Sequence, residues 1–510
     1  RGRESGGACG QARDKALDLE IGAGALIADP CLASAHDLSR EISARRLSPV
    51  DVVDAFLARI AKHDPKLHAF VEVYAKEARA AAVAADKAIG SGQALGPWHG
   101  VPIAIKDIID IEGRVTTGGS ASRLSHVATT TATVVRRVLA QGMIVLGKTH
   151  TVEFACGAWG TNQHMGTPWN PWDANVARTP GGSRSGSGVA VAARMAPWAL
   201  GTDTGCSVRQ PAAWCGITGL KTTIGRISTH GIMPLSPTLD TPGTMARTVR
   251  DVAVLYNLLQ GPDPLNPITQ RHPPDDPLPT LEDGVRGMKL ARLPVNERQR
   301  VAADVLDAYD RSLEALATLG AKVVDIDLPW SLADFVTMTN ITMAEGYFVN
   351  AAAVENPELK LDDAVRERLL KGKDISAHDY LATRRRREEM KREMDAAMQN
   401  LDAFLTPSTE TAALVLADLD FSQMPIRFGR FVNILDLCGL ALPNGYTSEG
   451  MPTSLQVVCR GYEEALALRI GHAYQRETDW HERMPPGAAR ERDLPRAIAS
   501  FDDIGQADKL

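Results

Sequence analysis

The sequence has few cysteines and none of the cysteine spacings that bind metal ions. Its seven cysteines lie scattered along 510 residues and form no CxxC pair. Structural zinc sites and thioredoxin-like redox centres require such spacings. An odd number of isolated cysteines in a long chain indicates reduced thiols. We therefore expect no metal ion and a cytoplasmic location.

The sequence also lacks an excess of basic residues and a long apolar run. Its 56 Lys and Arg stand against 62 Asp and Glu, so the basic surface typical of nucleic-acid-binding proteins is missing. The run RRRR at residues 384–387 is followed by acidic residues, which predicts a solvated helix face. Residues 21–28 are too short to span a membrane. We expect neither a nucleic-acid partner nor a membrane.

A nucleotide-binding motif is absent too. The stretch GGSRSGSG at residues 181–188 is not followed by the Gly-Lys-Ser/Thr of a phosphate-binding loop, nor does it have the context of a dinucleotide fold. It nevertheless differs from a flexible linker, because the apolar run at residues 188–200 is suited to burial. Two serines within tight glycine turns, Ser183 and Ser207, flank this run. Such turns aim backbone amides at an anion, either a phosphate or a tetrahedral oxyanion.

A candidate base precedes the two serines. The apolar segment VPIAI at residues 101–105 predicts a buried strand that ends in Lys106. A desolvated lysine loses its proton readily and acts as a general base near neutral pH. Neutral Lys106 is then able to take a proton from one of the two serines, which relays it from the other, nucleophilic serine, as in other activated hydroxyls.

Three ordered motifs carry a resemblance to a known family. The segments GVPIAIKD, GGSRSGS and GTDTGCSVRQPAAWCGITGLK together resemble the amidase signature family of Ser-cisSer-Lys amide hydrolases. The resemblance implies that Lys106 is the general base, Ser183 the relay serine on a cis peptide bond, and Ser207 the nucleophile. It also implies that the backbone amides of Thr204, Gly205, Cys206 and Ser207 form the oxyanion hole. No cofactor is implied.

Each of these residues has an alternative interpretation. An isolated Ser183 would be a turn residue and an isolated Ser207 a helix N-cap. Lys106 would be a structural lysine if it paired with Asp107 or another acid. The resemblance further implies that Asp203 and Arg209 brace the loop without touching substrate.

Two positions depart from the family pattern. The residue after the relay serine is Arg184, which either disfavours protonation of Lys106 or points away to solvent or a carboxylate. The residue before the nucleophile is Cys206, where glycine is common. It is either a rival nucleophile or a small buried residue.

The resemblance sets the expected fold class: α/β, with a mixed, mostly parallel central sheet covered by helices on both faces. Residues 101–105, 143–146 and 322–326 match buried strands, whereas residues 50–60 and 301–319 have helical periodicity. We expect an N-terminal extended arm at 1–33, a single catalytic domain at 34–490 and a C-terminal tail at 491–510. Within the domain, residues 335–401 are the expected variable region over the substrate pocket.

Four further residues precede the relay loop and resemble family positions near bound substrate: Phe154, Gly157, Ala158 and Trp159. Trp159 either lines the pocket or packs in the core.

The sequence predicts an amidase that cleaves the C–N bond of small aryl or alkyl carboxamides, with a small-molecule partner and possible homodimerisation. A carbamate (urethane) hydrolase or esterase with the same residues is an alternative. A glutaminase-type subunit of a tRNA-dependent amidotransferase is a second alternative, and a non-catalytic binding protein a third. Because only neutral lysine is active in the hydrolase, its rate should rise toward alkaline pH.

Overall fold

The structure is a computed structural model that describes residues 27–489. Within these residues, eleven strands form one sheet in the order β1-β3-β2-β4-β6-β5-β10-β11-β9-β7-β8. The strands are β1 Phe70–Val73, β2 Pro102–Lys106, β3 Ile144–Thr149, β4 Trp198–Asp203, β5 Thr218–Lys221, β6 Thr241–Ala246, β7 Lys289–Ala291, β8 Lys322–Val324, β9 Ala403–Pro407, β10 Cys438–Tyr446 and β11 Pro452–Cys459. The predicted strands at residues 101–105, 143–146 and 322–326 correspond to β2, β3 and β8.

The sheet is mixed, as expected, but its parallel neighbours are fewer than expected. Only β3–β2–β4 and β9–β7–β8 pair in parallel. The other six pairings among the described strands are antiparallel. Antiparallel neighbours need only a short connection, and β10 and β11 are joined by residues 447–451 alone. The expected majority of parallel strands is therefore not found.

Helices occupy most of the connections. They are α1 Ala35–Ser43, α2 Pro49–Leu67, α3 Ala75–Gly90, α4 Thr133–Ala140, α5 Ser185–Ala192, α6 Arg209–Trp214, α7 Val249–Leu259, α8 Ala303–Thr318, α9 Asp334–Thr337, α10 Asn340–Val354, α11 Asp363–Leu370, α12 Ala377–Ala397, α13 Arg427–Ile434, α14 Glu464–Glu477 and α15 Pro486–Ala489. The helical periodicity at residues 50–60 and 301–319 falls in α2 and α8. Ser48 precedes α2 in extended conformation and caps it through the amide of Val50.

Both faces of the central strands are covered. Every residue of β2, β4 and β6 is buried. Because successive side chains of a strand point to opposite faces, this burial requires packing on both sides of the sheet. Helix α5 packs on β2, β3 and β4, while α6 packs on β5, β10 and β11. The strands that carry the motif residues are thus held between helices.

The parallel alignment of β2 with β4 positions the site. Ala104 is paired with Ala199 and Ile105 with Leu200, so the two strands end at the same edge of the sheet. Lys106 is the last residue of β2, and the loop that carries Ser207 follows the last residue of β4. The topology therefore brings together residues that lie about a hundred positions apart in the sequence.

Most of residues 335–401 form helices α9 to α12, and the basic run within α12 differs from the prediction. Arg387 does not lie on a solvated face. It is 3% exposed, its Nε donates to the Ile434 carbonyl, and its Nη2 lies 2.5 Å from Asp436 Oδ1. Charge clustering in the sequence does not reveal that one arginine of the run turns inward to cap a neighbouring helix.

No helix among residues 27–489 has the length and apolar character needed to cross a membrane. Of the predicted N-terminal arm, only residues 27–33 are described, and Cys31 among them is buried in the main core. The remainder of the arm and the predicted tail at 491–510 lie outside the described residues.

Candidate active site

Lys106 contacts Ser183 at the carboxyl end of β2. Lys106 Nζ donates to Ser183 Oγ at 2.7 Å and approaches Thr202 Oγ1 at 3.5 Å. All three side chains are buried. Asp107 does not pair with Lys106, because it points the other way and accepts from Lys148 Nζ at 3.2 Å. The structural interpretation of Lys106 as the partner of Asp107 is therefore wrong.

The surroundings of Lys106 favour its neutral form. Burial lowers the pKa of Lys106 well below its usual value, and the charge of Arg184 lowers it further. Asp240 and Asp203 act in the opposite direction but do not restore it. A lysine that lacks its proton accepts one from a hydroxyl group at hydrogen-bond distance.

Ser183 is held by the backbone around it. The Gly182–Ser183 peptide bond is cis, as the resemblance implies. The Gly182 amide donates to the Ala158 carbonyl at 2.6 Å, and the Ser183 carbonyl accepts from the Val152 amide at 3.1 Å. Helix α5 begins at Ser185, so Ser183 lies two residues before a fully buried helix.

Arg184 points into the protein and not to solvent. Its side chain is completely buried, and its Nη2 donates to the Gly243 carbonyl at 3.0 Å. Its Nε and Nη1 have no hydrogen-bond partner among the described residues. A Cβ added to Gly201 would clash with Arg184 Nε and would lie 2.8 Å from Lys106 Cδ. The absence of a side chain at Gly201 thus lets Arg184 and Lys106 lie side by side.

The loop of Ser207 is fastened by one buried ion pair. Arg209 Nη2 lies 3.0 Å from Asp203 Oδ1, and Asp203 Oδ2 also accepts from the Val208 amide at 3.0 Å. Burial acts to raise the pKa of Asp203, but the charge of Arg209 and the hydrogen bonds lower it overall. This contact agrees with the bracing role that the resemblance implies. Ser207 itself is 9% exposed, unlike the inaccessible Ser183.

The backbone of this loop offers free donors. In the described part of the chain, the amides of Gly205, Cys206 and Ser207 donate to no acceptor. The Thr204 side chain, by contrast, is engaged with Asp240 Oδ1 at 2.5 Å. Amides that point together without partners are suited to an oxyanion.

Of the two alternatives for Cys206, a rival nucleophile or a small buried residue, the structure supports the small buried residue. It has φ +140°, a conformation that glycine adopts more easily. A Cβ added to Gly429 would clash with that of Cys206, so glycine at 429 makes room for cysteine at 206. Burial raises the pKa of the Cys206 thiol far above its usual value. A thiol that stays protonated is a poor nucleophile.

The loop of Ser207 forms the floor of a cavity of about 50 Å³, here named the inner chamber. Its lining includes Gly157, Ala158, loop residues 204–207, Met343, Arg368 and Arg430. Met343, Arg368 and Arg430 also line a wider groove of about 600 Å³, here named the outer groove, between α9, α10, α11 and α13. The predicted covering region at 335–401 therefore contributes walls above Ser207.

The four predicted pocket residues have three different surroundings. Gly157 and Ala158 line the inner chamber. Trp159 lines a neighbouring cavity and stacks on Trp214 with ring centroids 5.8 Å apart. Phe154 lines none of these cavities in the described structure and packs in an apolar cluster. Phe154 is thus placed in the core, and Trp159 lies between core and cavity.

Sequence reasoning did not find several residues at this site. Thr202 approaches Lys106, and Asp240 receives hydrogen bonds from Thr204 and from the amides at 235 and 236. Burial raises the pKa of Asp240 to about 6. Arg368 and Arg430 come from α11 and α13. Thr202 lies in the third motif without a distinguishing pattern, and the others stand outside the motifs, so only the fold identifies them.

Comparison with known proteins agrees with the geometry. The family model described as Amidase matches residues 51–468. The chain is 37% identical over 486 residues to the A subunit of glutamyl-tRNA(Gln) amidotransferase from Roseiflexus castenholzii, a match that covers 88% of this chain and 96% of that protein.

Solved structures give the same result. The peptide amidase of Stenotrophomonas maltophilia has a TM-score of 0.79 at 27% identity, covering 90% of this chain and 99% of that one. The A subunit of glutamyl-tRNA(Gln) amidotransferase from Thermotoga maritima has a TM-score of 0.74 at 27% identity, covering 93% and 100%. The resemblance drawn from the three motifs is confirmed. The chain belongs to the amidase family, the amidase-signature enzymes that act on carbon–nitrogen bonds.

Proposed function

We propose that the protein hydrolyses the C–N bond of a carboxamide through an acyl-enzyme on Ser207. The observation that carries this proposal is the 2.7 Å contact between Lys106 Nζ and Ser183 Oγ in a buried environment that disfavours the charged lysine. Other buried lysines of this protein face a carboxylate, as Lys148 does, or backbone carbonyls, as Lys221 does. Lys106 faces a hydroxyl, as a general base requires.

The first half of the reaction transfers the acyl group to the enzyme. Ser207 Oγ attacks the amide carbon, while its proton passes to Ser183 Oγ and the Ser183 proton passes to Lys106 Nζ. The tetrahedral intermediate places its oxyanion at the amides of residues 204–207. The C–N bond then breaks, and the proton returns from Lys106 through Ser183 to the leaving nitrogen.

The second half releases the acid. A water molecule enters from the inner chamber, and its proton follows the same route to Lys106 as its oxygen attacks the acyl carbon. When the second tetrahedral intermediate collapses, the Ser207 ester bond breaks and the proton returns to Ser207 Oγ. One amide and one water give one carboxylic acid and one amine or ammonia.

For the biological context of this chemistry, we favour a glutaminase-type amidotransferase subunit. The support is the similarity to amidotransferase A subunits, which extends at 34–37% identity over 86–88% of this chain through the first relatives. In that function, glutamine is the amide, and the ammonia released from it serves a partner protein.

A free hydrolase of small aryl or alkyl carboxamides is the second candidate. The observations that favour it are the similarity to the peptide amidase and the outer groove of about 600 Å³, which has room for a leaving group larger than ammonia.

Three substrates distinguish the candidates: glutamine, an N-acyl 4-nitroanilide and the matching N-(4-nitrophenyl) carbamate. The purified chain alone is assayed for ammonia or nitroaniline release, with Ser207→Ala as the test variant and the exposed Ser91→Ala as its matched control. Loss of turnover in Ser207→Ala, with turnover kept in Ser91→Ala, supports the acyl-enzyme. Near-normal rates in folded Ser207→Ala contradict the proposal.

The substrate profile then decides the context. Strong nitroanilide turnover by the chain alone supports the free hydrolase. Weak glutamine turnover that rises when a partner subunit is supplied supports the amidotransferase function. Turnover of the carbamate that is faster than turnover of the matching nitroanilide moves the assignment to a urethane-cleaving enzyme.

A further inference from the structure

Arg430 lies beside the loop that carries Ser207. It stands in α13, is 5% exposed, and lines both the inner chamber and the outer groove. A Cβ added to Gly205 would lie 3.0 Å from Arg430 Nη1. The guanidinium therefore approaches the backbone that is proposed to bind the oxyanion.

The guanidinium of Arg430 is only partly satisfied. Its Nη2 donates to the Met338 carbonyl at 3.1 Å and to Thr342 Oγ1 at 2.9 Å. Its Nε has no hydrogen-bond partner among the described residues. Both acceptors are neutral, so nothing in this set of contacts balances the positive charge.

Two other buried arginines near the chamber have carboxylate partners, whereas Arg184, which lines no part of the chamber, donates only to a carbonyl. Arg427, one turn earlier on α13, pairs with Glu297 at 2.5 Å and with Glu410 at 2.9 Å. Arg209 pairs with Asp203. No ion pair of Arg430 occurs within residues 27–489. A buried cation without a counter-ion is costly, and Arg430 differs from the other unpaired arginine, Arg184, in that it faces a cavity where an anion has room to bind.

The inner chamber is lined by positive and not by negative charge. Besides Arg430 its charged lining residue is Arg368, whose Nη1 donates to the Cys156 carbonyl at 2.5 Å. No Asp or Glu lines the chamber in the described structure. Burial lowers the pKa of Arg430 to about 10, so the side chain stays charged at neutral pH. The remaining walls are mostly apolar, including Leu235, Met343 and Ile426.

We propose that Arg430 recognises a carboxylate on the substrate, so that the preferred amides carry an anionic group close to the scissile carbonyl. This inference rests on the proposed amide hydrolysis at Ser207. The edge of the guanidinium that faces Gly205 supplies the donors, since arginine commonly binds carboxylates through such an edge. Because Arg430 and Ser207 line the same chamber, the carboxylate stands a few bonds from the reacting carbon. Short monoamides of dicarboxylic acids fit this description.

The test compares two amides of the same shape. Succinamate carries a carboxylate, and 4-oxopentanamide replaces it by a neutral methyl ketone. The measured quantity is the ratio of their kcat/KM values, followed by ammonia release. We expect wild type to prefer succinamate, and Arg430→Met to lower that preference by at least about tenfold. Arg430→Lys should retain part of it.

A purely structural role of Arg430 gives a different result. If Arg430 only stabilises the fold, Arg430→Met loosens the contacts to Met338 and Thr342 and slows hydrolysis of both substrates equally. The ratio of the two kcat/KM values would then be unchanged, which would overturn the proposal. The exposed Arg385→Met serves as the control for loss of one positive charge. An unchanged ratio in Arg430→Met, or a wild-type preference for the neutral amide, contradicts the inference.

A binding measurement separates this inference from the proposed function. Succinate is titrated into the Ser207→Ala protein and into Ser207→Ala with Arg430→Met, by calorimetry. Binding that requires Arg430 supports the carboxylate site even if no amide is hydrolysed. Amide hydrolysis by wild type without succinate binding leaves the proposed function intact and refutes the carboxylate site.

Discussion

Replacing Arg184 by methionine should move the pH dependence of catalysis. Arg184 and Lys106 lie side by side over Gly201, and both are buried. The charge of Arg184 disfavours protonation of Lys106, and methionine removes this charge while filling a similar volume. The pKa of Lys106 in the variant should therefore be higher than in wild type.

The size of the effect follows from the separation of the two groups. For an assumed separation on the order of 6 Å and an effective dielectric constant of about 20, two unit charges repel by about 3 kcal/mol. Since about 1.4 kcal/mol corresponds to a factor of ten in a protonation equilibrium, the neutral fraction of Lys106 falls about tenfold to 100-fold. The active form of the base is the neutral one, so kcat/KM falls by this factor at any pH on the rising limb.

The sign is set by the direction of the shift. The lower the pKa of Lys106, the lower the pH at which neutral lysine becomes available. Loss of Arg184 raises this pKa and therefore displaces the rising limb of the pH–rate profile to higher pH. The two enzymes should converge at high pH, where Lys106 is neutral in both.

The assay is a pH–rate profile of kcat/KM between pH 5 and 10 for the best substrate. Arg194→Met is the matched control, because Arg194 is also a buried arginine but donates to carbonyls at 32 and 482, away from Lys106. If Arg184→Met lowers the rate by one constant factor at every pH, geometry and not charge is responsible. That outcome would falsify the electrostatic role.

Three further predictions concern the neighbours of the site. Gly201→Ala should reduce activity strongly, because the added Cβ displaces Arg184 and Lys106; wild-type kcat/KM in this variant would contradict the observed packing. Asp203→Ala should lower the free energy of unfolding by about 3–5 kcal/mol, because Arg209 is left buried without its partner. Chemical denaturation measures this, and a change below about 1 kcal/mol would indicate a negligible pair. Iodoacetamide at pH 8 should leave activity unchanged and Cys206 unmodified by mass spectrometry, because burial raises the pKa of that thiol; rapid alkylation at Cys206 would disprove its inertness.

The candidate catalytic residues were accessible from the sequence because each stands in a locally distinctive context. Lys106 ends a short apolar run that predicts a buried strand, and Ser183 and Ser207 stand in glycine turns on either side of apolar residues. Such contexts depend on consecutive residues alone. The positions of β2, α2 and α8 were predictable for the same reason.

The direction of strand pairing was not accessible in this way. A buried strand has the same apolar pattern whether its neighbour runs parallel or antiparallel. The antiparallel pairings of β5, β6, β10 and β11 depend on which strands become neighbours in space. The orientation of a single side chain is equally hidden, as the inward turn of Arg387 shows.

The sequence by itself determined the family, the three candidate catalytic residues and the loop of free amides, because these depend on residue type and short-range spacing. Only the tertiary structure decided that Arg184 turns toward Lys106 and that Asp107 turns away to Lys148. It also brought Arg430, from a helix more than two hundred positions after Ser207, to the same cavity. Contacts between segments so far apart arise from the packing of the whole sheet, for which a single sequence contains no local signal.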